Sequence, residues 1–279
     1  MAMLGAVIYH ASDLSEDPEV VSKALEAARP ATGGEPFAGY RCIEMGSERH
    51  TRWRALTSAN LRQLRADLAG RVLSAVHFDS ARGAGSDASC SLDFWIGTPG
   101  RSRDFRYPHN IKVIVPLGTS ESVRDFVSSC RAVWELVGSP YGLIYSGRTY
   151  DDVHMELTAI PSRALGATLS AREELRLRWL GFWQQYEDEI GVLVRGAYWG
   201  NFLGTDIVRR LGGLEAVLKA APGEVVAPVG AGGVYVQVSN EPGPELPRRD
   251  QERLRALGRF LEPVSIAFRH PQAAPPAMA

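Results

Sequence analysis

The sequence predicts an α+β protein in which antiparallel sheets pack against amphipathic helices, and three observations carry that expectation. Short runs such as Ser91–Trp95 alternate apolar and polar residues with the period of a half-buried strand. Between such runs lie stretches whose apolar residues recur every three or four positions, the spacing of one helical face. The strands are short and their links polar, which suggests an antiparallel meander.

Residues 3–9 read as a strand, and 15–28 as a helix with an acidic first turn. The run Pro-Ala-Thr-Gly-Gly-Glu-Pro at 30–36 is loop chemistry. A basic helix is expected over 51–68, with Trp53, Leu56, Leu61, Leu64 and Leu68 on its apolar side and Gly70 ending it. Three strands follow. Val72, Val76 and Phe78 share one face of the first; Leu92, Phe94 and Ile96 alternate with Ser91, Asp93 and Trp95 in the second; Ile111, Val113 and Val115 line one side of the third. The clearest helix comes next. Thr119 caps it, Glu121 lies in its positive first turn, and Gly138 with Pro140 stops it. Its stripe is Val123, Phe126, Val127, Cys130, Trp134 and Val137, and 141–145 return as a strand.

The second half repeats this vocabulary. An aromatic helix is expected over 170–186, a strand over 192–199, and a helix capped by Thr205 with Ile207, Val208, Leu211, Leu214, Val217 and Leu218 on its apolar face. Gly212 and Gly213 predict a bend in that helix. Strands at 225–229 and 234–238 flank a glycine-rich hairpin turn, a basic helix covers 247–261, and a strand is placed at 264–268 before a Pro/Ala-rich tail. Sheet and helix alternate in both halves, so a loose internal duplication is expected. The halves would be 1–165 and 166–279, joined near 160–168, with one continuous domain as the alternative.

Hydrophobic residues make up 45% and charged residues 23%, and the net charge is -1. That balance argues against a general nucleic-acid binder and against a wholesale acidic mimic of DNA, so any charged partner surface must be a local patch. The three cysteines, Cys42, Cys90 and Cys130, are far apart and lack zinc spacing. They fit a reducing compartment. The apolar start carries no basic segment, and no run reaches the roughly 18 apolar residues of a membrane span. A cytoplasmic location without membrane contact is the expectation.

Chemistry-bearing motifs are few. Gly196, Gly200 and Gly204 lack the lysine of a phosphate-binding loop, so they read as a tight turn and a close helix approach. No Gly-x-Ser-x-Gly elbow occurs, and Cys42 has Glu44 and His50 nearby without fixed geometry. Neither cofactor nor metal is expected. The most enzyme-like cluster is Tyr150-Asp-Asp-Val-His-Met-Glu156, where Asp152, His154 and Glu156 share a face as a strand, and Asp152 and Glu156 as a helix. A solvated acidic face or a partner-binding patch are the other readings. Glu187, Asp188 and Glu189 close the aromatic helix without a basic neighbour, which is unfavourable to its dipole.

The segment 195–214 packs Gly196, Tyr198, Trp199, Gly200, Phe202, Gly204, Leu211, Gly212 and Gly213 into a strand-turn-helix unit. With the hairpin and helix that follow, over 190–262, it resembles the type VI secretion immunity family of bacterial proteins. The resemblance implies a cytoplasmic antidote without catalytic residues, which neutralises a cognate effector toxin, often a nuclease, by binding it and blocking its active site. Asp151, Asp152, Glu156, Glu187, Asp188 and Glu189 are then the candidate toxin-binding patch, and the glycine and aromatic residues are scaffold. The alternative is a small hydrolase or transferase using the Asp152/His154/Glu156 face.

Overall fold

In the computed structural model, which describes residues 2–10, 16–34, 36–47, 49–80, 90–96, 110–158 and 192–265, ten runs pair into one sheet. They are β1 (Met3–Tyr9), β2 (Gly39–Glu44), β3 (Arg54–Ala55), β4 (Leu73–Asp79), β5 (Ser91–Trp95), β6 (Asn110–Pro116), β7 (Tyr141–Gly147), β8 (Gly200–Leu203), β9 (Val225–Val229) and β10 (Gly233–Gln237). The order is β3-β2-β4-β5-β6-β1-β7-β8-β10-β9, and every neighbouring pair is antiparallel. The expected β4-β5-β6 meander is present, and the α+β class holds. The sheet also runs across the 165/166 division, because β7 pairs with β8.

Period-2 alternation gives the sheet two different faces. One in-register row reads Cys42, Val76, Phe94, Ile111, Ile8, Gly142 and Phe202. The helix α3 (Ser120–Leu136) covers this face, burying Val123, Phe126, Cys130, Val133 and Trp134, with Trp134 stacked 6.0 Å from Phe202. Each large side chain buried there contributes roughly 1.5–3 kcal/mol. Thr119 caps α3 by accepting from the Ser122 amide at 3.4 Å. In turn α1 (Glu19–Ala28) packs on α3, and the Ala31 amide donates to Ser129 Oγ at 3.2 Å. The adjacent row on the other face reads Arg41, His77, Asp93, Lys112, Val7, Leu143 and Asn201.

Several boundaries differ from expectation, each for a local reason. The basic helix, α2, is Ser58–Ala69, because Arg54 and Ala55 pair with β2 and Thr57 provides the cap, accepting from Asn60 N at 3.2 Å. Val72 is 47% exposed and precedes its strand instead of lining it. Residues Arg29–Thr32 form a 3-10 turn with Pro30 at its start, where the missing N–H is harmless. The strand expected at 192–199 is Gly200–Leu203; Val194 contributes only an isolated bridge to Ser265. Gly204, not Thr205, caps the next helix, and the Thr205 hydroxyl donates to Ala231 O at 2.9 Å. Gly212 and Gly213 take φ of 103° and 94°, which breaks the expected helix into α5 (Thr205–Arg210) and α6 (Leu214–Ala220). The basic helix, here α7, is Arg248–Leu261, followed by a 3-10 turn at Glu262–Val264. The expected helix at 170–186, the join at 160–168 and the tail lie outside the described residues.

Gly204 shows why one motif position is glycine. Its N–H donates to Pro140 O at 2.9 Å, and a Cβ would lie 2.4 Å from that same oxygen. The substitution Gly204→Ala is therefore expected to push the end of β8 from Pro140 at the start of β7, with a loss of about 1–3 kcal/mol in urea unfolding. An unchanged urea midpoint would show that the approach relaxes freely.

Candidate functional site

The helix α4 (Tyr150–Thr158) carries most of the chemistry that the sequence singles out. Thr149 Oγ1 accepts from the Asp152 amide at 3.1 Å, and the Asp152 carboxylate accepts from the Arg148 amide at 3.0 Å. That exchange caps the helix, as a Thr-x-x-acid spacing should. Val153 and Leu157 sit on β1 at Gly5, where a Cβ would approach them to 2.3 and 2.8 Å. The Tyr150 hydroxyl reaches Ser91 Oγ on β5 at 3.2 Å. So α4 lies on the polar face of the sheet, opposite α3.

Asp151 is exposed and Asp152 half-buried, whereas Glu156 is only 7% exposed. Tyr198 donates its hydroxyl to Glu156 Oε1 at 2.8 Å, and Arg195 Nη2 lies 3.5 Å from the same oxygen. Glu156 therefore does not belong to an exposed acidic patch: with Leu157 it faces the protein interior. Glu187, Asp188 and Glu189 lie outside the described residues. Asp152, His154 and Glu156 each have a contact of their own. The first serves the helix cap, the second stacks on Tyr150 with ring centres 5.7 Å apart, and the third holds Arg195.

Arg195 is among the largest fully buried side chains of the described residues. Its Nη2 donates to Glu156 O at 2.8 Å and its Nη1 to the Tyr9 hydroxyl at 3.2 Å, and the guanidinium lies 5.6 Å from the Tyr198 ring centre. These contacts tie α4, β1 and the segment before β8 together. A charge so far from water persists only when several polar partners replace its hydration.

Beneath α4 runs a second buried polar cluster. His77 donates through Nδ1 to Asp93 Oδ1 at 3.0 Å, and its Nε2 is buried with no hydrogen-bond partner among the described residues. Burial alone would raise the Asp93 carboxyl, but His77, by charge and hydrogen bond, and then Lys112 outweigh it and hold it at about 2. Lys112 is 1% exposed, with Nζ 4.8 Å from the Trp95 ring centre, and burial pulls it down to about 8 against the pull of Asp93. Burial pushes Asp79 up to about 6, opposed by Arg41 at 3.9 Å. His154 is lowered to about 3, first by burial and then by Lys112.

A histidine held by a carboxylate can act as a proton acceptor when a substrate reaches its free nitrogen. One cavity lies elsewhere. It measures about 390 Å³ and is lined by Glu224, Glu241, Glu245, Asp250, Arg249 and Arg253 among others, with no residue from 196 to 213. Among the described residues, no group of three or more His, Cys, Asp or Glu side chains is placed to hold a metal ion. Cys42 is buried, and burial pushes its thiol up to about 12, which leaves it a weak nucleophile. No described helix is long and apolar enough to cross a membrane.

The fold is similar to that of a solved Pseudomonas aeruginosa protein, T6SS protein PA0821. The TM-score is 0.61 at 15% sequence identity, over 95% of this chain and 73% of that one. No family model and no curated protein matches the sequence.

The glycine and tryptophan motif occupies the interior of this fold. Trp199 donates its indole N–H to Ser239 Oγ at 3.0 Å, and Phe202 lies 4.6 Å from Tyr235. Asn201, fully buried, accepts from the Tyr198 amide at 3.1 Å and donates back to the Tyr198 carbonyl at 2.8 Å, which shapes the turn into β8. Sequence reasoning passed over Asn201, His77, Lys112 and Arg195 as site residues. For Lys112 a signal existed: a lysine at the alternate position between Ile111 and Val113 faces away from the apolar core.

Proposed function

We propose that this chain is an immunity protein, which binds a cognate effector toxin of a type VI secretion system and occludes its active site. The observation that carries this reading is the fold likeness, over 95% of the chain, to a protein named as a T6SS protein. The strand-turn-helix motif that resembles the immunity family adds to it. The geometry of α4 is in keeping with it, since Asp152, His154 and Glu156 each have a structural contact of their own. Binding, with no cofactor, nucleic acid or membrane involved, is the proposed activity, and the cytoplasm the proposed location.

An antidote of nanomolar to picomolar affinity needs about -12 to -16 kcal/mol, commonly through roughly 1,600 Å² of buried surface. Carboxylates facing the basic cleft of a nuclease would speed association and exclude its substrate. In this reading the toxin meets exposed Asp151 together with Glu187, Asp188 and Glu189; Glu156 has no part in it.

The test is to co-express the chain with the product of a toxin-like reading frame beside its gene and to measure the affinity of the pair. A stable complex is expected. The combined reversals Asp151→Lys, Glu187→Lys and Glu189→Lys spare the Asp152 cap and should weaken binding by about 2–5 kcal/mol with the circular dichroism unchanged. Full affinity in that variant removes the acidic patch; failure of the native chain to bind or protect removes the antidote reading.

A further inference from the structure

We propose that α4 is a proton-operated latch: protonation of His154 lifts this helix from the polar face of the sheet while the strands beneath it stay paired. His154 presents a buried Nδ1 with no hydrogen-bond partner among the described residues. The charges that act on it are Lys112 on β6, Asp93 on β5 and His77 on β4, which stand in one in-register row on the face that α4 covers. On its own helix the Tyr150 ring stacks against it. β1 and β7, which also pack on α4, offer Tyr9 and Tyr145, and these lie against Arg195 and Tyr198. Among the described residues, the carboxylate that acts on His154 is Asp93, which is already held by His77 at 3.0 Å. An imidazolium there would thus face the buried Lys112 ammonium from a half-buried ring whose Nδ1 is shielded from solvent, and the two cations repel.

The helix is short and depends on what docks it. It has nine residues, too few to be stable without packing. Val153 and Leu157 dock it, with polar clips at Tyr150–Ser91 and Glu156–Arg195. β1 below it is paired on both sides, with β6 and β7, so it opens only when the sheet does.

The sign follows from the imidazole. Its value in the docked helix, about 3, lies below the free value of 6.5. The stability tied to the neutral ring is complete above 6.5 and is lost as pH falls toward 3. One proton taken up on opening raises the opening constant of α4 by about 50-fold between pH 6.5 and 4.5. Asp151 rides on the same helix, so the latch would govern how that carboxylate is presented. That consequence rests on the immunity reading, whereas the latch itself does not.

Amide hydrogen exchange of the isolated chain, corrected for intrinsic rates, tests the latch. The α4 amides should exchange with a lower opening free energy than those of β1, and their opening constant should rise about 50-fold between pH 6.5 and 4.5. In His154→Gln that rise should vanish while the β1 amides remain protected. The latch is overturned when α4 and β1 share one opening constant at every pH, or when the rise persists in His154→Gln. Should the variant not fold, ring NMR of the native chain decides. An imidazole of His154 that titrates near 6.5 without loss of α4 protection overturns the proposal, and a ring that becomes protonated only as α4 opens supports it.

Discussion

Replacing Arg195 with methionine is expected to remove about 3–5 kcal/mol of stability, seen as a lower urea midpoint with an unchanged slope. The guanidinium is fully buried and holds Glu156 and Tyr9, and Glu156 holds Tyr198. Without it, a carboxylate that is 7% exposed loses the opposite charge beside it. The expected loss comes from that stranded charge more than from the intrinsic strength of the pair. Adding Glu156→Met and Tyr198→Phe should then recover most of it, because an apolar trio needs no hydration. A loss below about 1 kcal/mol in Arg195→Met would mean that water reaches the site.

The second large effect is expected for Asp93→Asn, again about 3–5 kcal/mol at pH 7. Asp93 is the charged neighbour of Lys112 in the next strand, and it also accepts from His77. The sign of the pH dependence separates its two roles. The Asp93 carboxyl is held at about 2, below its ordinary 3.8, so its contribution is present above 3.8 and is lost as pH falls through 2. Lys112 is pulled from 10.5 to about 8, so the fold favours its neutral form. That preference stabilises the fold fully above 10.5 and is lost as pH falls through 8. At pH 7 the ammonium is therefore a burden that Asp93 offsets, and the Asp93→Asn deficit should shrink between pH 7 and 10. Urea titrations of native and variant chains at both values check this. An equal deficit at both would show that Lys112 is not the charge that Asp93 serves.

Most of the fold was legible because it rests on periodicity. Val123, Phe126, Cys130 and Trp134 recur at helical spacing and are buried together. Leu92 and Phe94 alternate with Ser91 and Asp93, and they lie on opposite faces of β5. The hairpin of β9 and β10 follows from Gly230 and Gly232, whose φ values of 52° and 95° favour glycine. The misplacements fall at boundaries, where one contact decides between neighbours. Thr205 resembles a cap but instead donates its hydroxyl to Ala231, while Gly204 accepts the cap position because Pro140 O leaves no room for a side chain there.

The candidate site was legible in composition but not in placement. Asp152, His154 and Glu156 stand two residues apart, and no sequence pattern tells which of them meets water. For the first a local contact decides, the Arg148 amide; for the others residues remote in the chain do, Lys112 and Asp93 for the second and Arg195 and Tyr198 for the third.

By itself the sequence determined the α+β class, the alternating strands, the α3 stripe and the glycine-rich corner, since each depends on neighbours within a few positions. The tertiary structure alone decided that the polar side of β4, β5 and β6 is interior and that Glu156 is a core ion rather than a surface one. Strand periodicity fixes which residues share a face; whether that face is solvated depends on what folds over it, and here α4 arrives from more than thirty residues further along the chain.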